Sequence, residues 1–168
     1  TDIDRAIGGG FIRQQIVLLG AAPGVGKTAL AQWIFEGMAK AGTSCIFLNL
    51  EMAQEQILAR SISRIAARQG ATLKTTDILQ GYKWTAEQRQ QVTEAAEIYR
   101  KEIAPRMIYN PQGIGSNLDA ILAYINKEAQ RAEAAGEAAP ICVLDYLQLV
   151  TGKEREDATA AIKRAVFD

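Results

Sequence analysis

The stretch Ala21-Ala22-Pro23-Gly24-Val25-Gly26-Lys27-Thr28 constrains this chain more than any other. It fits the phosphate-binding P-loop pattern, with alanine in place of the first glycine. Ile16 to Leu19 is a short apolar run that predicts a strand, and a helical pattern follows from Lys27 to about Lys40. The predicted order is therefore strand, loop, helix. Glycines at 24 and 26 let backbone amides come close to phosphates, and the helix amino terminus turns those amides and its dipole towards negative charge. The backbone of Ala22, Pro23, Gly24, Val25 and Gly26 is expected to cradle ATP, with Lys27 reaching the β and γ phosphates. Thr28 would put its hydroxyl on Mg2+. A plain tight turn would not require Lys27-Thr28.

Further along, Cys45-Ile46-Phe47-Leu48-Asn49-Leu50 reads as a continuous buried strand, the pattern of a parallel sheet covered on both faces. Ile57, Leu58, Ile62 and Ile65 recur at helical spacing until Gly70. Thr85-Ala86-Glu87-Gln88 has the form of a capping box at a helix start, with Trp84 ahead of it as a candidate staple. Met107-Ile108-Tyr109 predicts a short strand closed by Asn110-Pro111 and a loop through Gly113. A helix from near Ser116 carries Leu118, Ile121, Leu122 and Ile125 on one face, and Ile141-Cys142-Val143-Leu144 is the next buried strand. Strands alternating with helices at these spacings predict an α/β fold with a mainly parallel sheet flanked by helices. One domain over residues 1–168 fits the length.

Two carboxylates fall at strand ends. Asp145 closes an apolar strand, where an unpaired carboxylate is costly, and beside a P-loop its natural partner is magnesium. Glu51 follows another strand at the carboxyl edge of the sheet, where catalytic groups gather, and is the candidate general base for the water that attacks the γ-phosphate. The alternative is that Glu51 starts the next helix, where the dipole favours an acid. Gln148 either reads the γ-phosphate or decorates the strand end. Lys153, Arg155, Lys163 and Arg164 are interspersed with Glu154, Glu156 and Asp157, a pattern that is usually a solvated helix and loop, with DNA contact as the alternative.

Composition removes several alternatives. Nineteen basic residues balance nineteen acidic ones, so any contact with nucleic acid must be local rather than bulk electrostatic. With no histidine and two cysteines, Cys45 and Cys142, each inside an apolar run, a zinc site or a serine-histidine triad has nothing to be built from. No segment reaches the roughly 20 apolar residues of a membrane span, and the chain is expected to be soluble and cytoplasmic.

Together with the P-loop, Leu50-Glu51-Met52 and Asp145-Tyr146-Leu147-Gln148-Leu149 resemble the carboxyl-terminal motor domain of DnaB-type replicative helicases. Thr1 to Gly10 is similar to the segment leading into that motor, and Asp77-Ile78-Leu79-Gln80-Gly81 looks like its middle portion. The resemblance implies a RecA-like ATPase fold, a homo-hexameric ring with ATP between neighbours, and hydrolysis with Glu51 as base. It also implies translocation on single-stranded DNA and cooperation with primase, loader and polymerase. The P-loop alone would equally suit RecA-like relatives of RadA or KaiC type, and a weakly hydrolysing scaffold that docks onto a helicase is a third reading.

Two departures from the family pattern stand out. Gln14-Gln15 replaces a glycine often carried before the P-loop strand. In the family, the helix resembling Ala158 to Phe167 leads to another strand between the P-loop strand and the Asp145 strand; the expectation is a fragment lacking its last strands.

Overall fold

The computed structural model describes residues 2–12, 15–111 and 114–145. Gln14, Gly113, the segment Tyr146–Leu149 with Gln148, the basic residues Lys153, Arg155, Lys163 and Arg164, and the helix expected over Ala158–Phe167 lie outside them. Three parallel strands form the sheet among the described residues: β1 (Cys45–Asn49), β2 (Met107–Tyr109) and β3 (Ile141–Asp145), in the spatial order β2-β1-β3. Cys45 pairs with both Met107 and Ile141, and Asn49 pairs with Asp145, so β1 and β3 end level with each other.

Parallel neighbours need crossovers, and the helices supply them. A short α1 (Asp2–Ala6) precedes the P-loop, and α2 (Lys27–Lys40) follows it. Between β1 and β2 lie α3 (Gln54–Arg68), α4 (Thr75–Leu79) and α5 (Ala86–Glu102); α6 (Leu118–Ala134) joins β2 to β3. Every residue of β1 is buried because both its faces are covered. Cys45 and Phe47 point into the core built with α2, α3 and α5, while Ile46 and Leu48 point to Leu118 and Ile121 of α6. Alternation along the strand thus divides one apolar run between two cores. Phe47 is fully buried and meets Phe35 of α2 edge-to-face at 6.4 Å and Tyr109 at 5.5 Å.

The capping box at Thr85 forms as expected: Gln88 N donates to Thr85 Oγ1 at 3.1 Å and Thr85 N to Gln88 Oε1 at 3.0 Å. The staple differs in kind. The residue four beyond the cap is Arg89, and its guanidinium lies 5.9 Å from the Trp84 ring centre, so a cation–π contact stands where an apolar pair was expected.

One expected element is absent from the sheet. Residues 16–19 are not a strand; Ile16, Val17, Leu18 and Leu19 are 61%, 51%, 73% and 46% exposed. A short apolar run stays extended only if a neighbour satisfies its backbone, and among the described residues no strand lies beyond β3 to do so.

Candidate functional site

The P-loop turns on two glycines in the left-handed region, Gly24 (φ 81°) and Gly26 (φ 94°). Gly26 is the N-cap of α2, and its carbonyl accepts from Leu30 N at 2.9 Å. A Cβ at either glycine would meet nothing within 4 Å, so the backbone conformation and not crowding calls for glycine. The helices α3, α5 and α6 each carry an acid in the first turn, Glu55, Glu87 and Asp119; α2 has none, and no side chain caps it. The positive end of its dipole is left for an external anion, which fits a phosphate. Residues 21–26 are exposed and Lys27 and Thr28 half-buried.

Topology brings the other candidates to the same edge. The chain turns from α2 through residues 41–44 into β1, so α2 runs back along the sheet and its amino terminus lies towards the carboxyl ends of the strands. It packs on the face into which Cys45 and Phe47 point. By the alternation of β1, and by register with β3, Asn49 and Asp145 belong to that face too. Asp145 is the last residue of β3 and is 5% exposed. Glu51 stands in the bend after β1, exposed, ahead of the Ala53 N-cap; the first-turn acid of α3 is Glu55, so the reading of Glu51 as the helix-starting acid is corrected.

Two asparagines that sequence reasoning did not single out tie this edge together. Asn49 Nδ2 donates to Asp145 Oδ2 at 2.8 Å, while Asn49 Oδ1 accepts from Glu51 N at 3.0 Å and Met52 N at 2.6 Å. Asn110, just past β2, accepts from Asn49 N at 2.7 Å through Oδ1 and donates its own N–H to Phe47 O at 3.2 Å. It does so with φ 36°, a left-handed conformation asparagine tolerates better than most residues. A signal was present. A single amide within a run as apolar as Cys45–Leu50 must be bonded to something if the strand is buried.

Cys45 is a buried core residue and Cys142 is half-buried against the core on the other face of the sheet; burial pushes the Cys45 thiol up to about 12 and Cys142 up to about 11. Among the described residues no cluster of histidine, cysteine, aspartate and glutamate is suited to a metal by itself, so a cation at Asp145 would need ligands from the P-loop and the nucleotide. A cleft of about 510 Å³ opens instead beside the carboxyl-terminal half of α2, between Phe11, Trp33, Met38 and Ile103. It lies away from the P-loop and holds none of the candidate residues. No described helix is long and apolar enough to cross a membrane.

Over 61 residues the chain is 35% identical to the DNA repair protein RadA of Campylobacter jejuni and 33% identical to that of Brucella abortus. Over 57 residues it is 33% identical to the circadian clock protein KaiC3 of Synechocystis. These matches cover 36%, 36% and 34% of this chain, and only 14%, 13% and 11% of the relatives' own lengths. The model of the DnaB-like helicase C-terminal domain, by contrast, matches residues 1–166. The three parallel strands flanked by helices are a part of its RecA-like α/β fold, in a family of P-loop ATPases that use ATP and Mg2+, bind DNA and oligomerise. With its P-loop, its strand-end carboxylates and a match over nearly its whole length, the chain belongs to the DnaB-like helicase C-terminal domain family.

Proposed function

We propose that residues 1–168 act as one ATPase domain in the motor of a replicative DNA helicase, hydrolysing ATP to drive translocation on single-stranded DNA and duplex unwinding. The observation that carries the ATPase half is the shared edge: the uncapped amino terminus of α2 and the two carboxylates, Asp145 and Glu51, lie on one side of one sheet. Family membership supports the helicase half. In this reading the amides of residues 22–26 and Lys27 hold the phosphates, and Thr28 with Asp145 holds the metal. Bound Mg2+ supplies positive charge to the phosphoryl oxygens. Glu51 orients a water and takes its proton as the water oxygen bonds to the γ-phosphorus and the β–γ bridge oxygen leaves with ADP. Gln148 is assigned to the γ-phosphate by its place in the sequence three residues after Asp145. Six copies form the working ring, in the cytoplasm, with primase and a helicase loader as partners.

The identity to RadA and KaiC3 favours a second reading, a RecA-like ATPase of recombination or timing type that keeps this chemistry without unwinding. A weakly hydrolysing scaffold docked on a helicase is the third. ATP turnover by the full-length polypeptide, with and without single-stranded DNA, beside strand displacement on a forked duplex, separates them. DNA-stimulated turnover with displacement is expected. Stimulation without displacement would favour the RadA-like reading, and tight nucleotide binding with negligible turnover the scaffold.

A further inference from the structure

Asn49 is 4% exposed, and both polar atoms of its side-chain amide are engaged. Its Oδ1 receives two backbone N–H groups, from Glu51 and Met52, so that atom must be the oxygen. The atom facing Asp145 Oδ2 at 2.8 Å is therefore the NH2, and the network itself fixes the orientation of the amide. One side chain thus orients a buried carboxylate with one end and folds the bend that carries Glu51 with the other. The donor is neutral. It fixes the direction of the Asp145 carboxylate without neutralising it, leaving its charge for a cation.

The backbone repeats the same connection. Leu50 N donates to Asp145 O at 2.8 Å, and Asn110 Oδ1 holds Asn49 N from the far side of β1. The ends of β2, β1 and β3 are bonded in series through Asn110, Asn49 and Asp145.

We propose that Asn49 is a positioning residue that sets Asp145 and Glu51 in one fixed relation, with Asn110 holding Asn49 in place. The inference rests on the reading of Asp145 as the magnesium carboxylate and Glu51 as the base, and adds what holds them together. Asn49 touches neither nucleotide nor water in this scheme. Its effect passes through the two carboxylates.

The test is made on the full-length polypeptide, with three variants and two readouts. Asn49→Ala removes both ends of the amide; kcat for ATP is expected to fall about 10–100-fold, as when groups supporting metal ligands are lost. The second readout needs no turnover: binding of a fluorescent ATP analogue with and without Mg2+. Affinity without Mg2+ depends on the P-loop and should stay within about twofold, while the gain in affinity on adding Mg2+ should shrink. Asn49→Ser offers a hydroxyl that can both accept and donate, and should recover most of the loss. Asn110→Gly keeps the left-handed backbone but removes the acceptor for Asn49 N, and should move both readouts in the same direction by less.

Wild-type kcat and Mg2+ response in Asn49→Ala would overturn the proposal, as would a loss of Mg2+-free affinity in step with kcat, the mark of a merely structural residue. Should Asn49→Ala not fold, Asn110→Gly decides: the same pattern on a smaller scale supports the role, and wild-type behaviour overturns it. An unmodified polypeptide that neither binds Mg2+-ATP nor hydrolyses it would sink the ATPase reading itself. That result is distinct from an active parent indifferent to Asn49.

Discussion

The hydroxyl of Tyr109, at the end of β2, donates to Oε1 of Glu36 on α2 at 2.7 Å. Glu36 is 1% exposed; it also accepts from Gln32 Nε2 at 3.0 Å and from Ser61 Oγ, and pairs with Arg64. One carboxylate on the P-loop helix is thereby bonded to its own helix, to α3 and to the strand that leads into Asn110. Burial also pushes the Tyr109 phenol up, keeping it a donor.

Loss of either partner should be costly. Tyr109→Phe is expected to destabilise by about 1.5–3 kcal/mol, the range for a bond to a charged group. Arg64→Met, which leaves a buried carboxylate without its cation, should destabilise by about 3–5 kcal/mol. Urea unfolding of the two variants checks the order; an Arg64→Met protein as stable as the parent would mean that Glu36 does not depend on that charge.

At the candidate site, Lys27→Ala and Glu51→Gln should separate binding from chemistry. The first removes the cation proposed to meet the phosphates and should abolish ATP binding or turnover, whereas the second should bind ATP normally and lose hydrolysis. Asp145→Asn should weaken Mg2+ dependence and catalysis together. Equilibrium nucleotide binding beside steady-state turnover measures all three, and full turnover by Glu51→Gln would remove Glu51 from the role.

Gly81 is under an indole. A Cβ there would lie 3.0 Å from Cζ2 of Trp84, whose Nε1 donates to Asp77 O at 2.6 Å and so cannot swing away freely. Gly81→Ala should destabilise by about 1–3 kcal/mol through this overpacking, and Trp84→Phe in the same background should relieve part of it. Thermal melts of the single and double variants give the coupling directly.

Alkaline pH should unfold the protein through groups that burial keeps neutral. Cys45 is raised from 9.0 to about 12, Cys142 from 9.0 to about 11 and Tyr99 from 10.0 to about 12, each by desolvation first. An acid whose folded pKa lies above its unfolded one adds stability below the unfolded value and loses it as pH rises to the folded one. Stability should therefore fall from about pH 9 towards 12, with Cys45 unreactive to iodoacetamide at pH 8 until the protein unfolds. Rapid alkylation of Cys45 in the folded protein would contradict its place in the core.

Much of this was legible along the chain because it depends on local pattern. The P-loop with its glycines, the helix from Lys27 to Lys40, the capping box at Thr85 and the strands ending at Asn49 and Asp145 all follow from residue spacing and backbone preference, although the second strand, expected to be buried, is half-buried over 141–144. What spacing cannot carry is lateral pairing. Ile16–Leu19 reads as a strand because it is apolar, yet it lies exposed and unpaired, since a strand exists only beside another. Nor can spacing show which distant polar groups will meet. Asn49 and Asp145 are 96 positions apart, and Glu36 and Tyr109 are 73 apart, so nothing local marks them as partners. The sequence by itself determined the fold class and named the candidate residues for the chemistry; the tertiary structure decided that an asparagine stands between Asp145 and the bend that carries Glu51, because only folding brings the three strand ends into one row of hydrogen bonds.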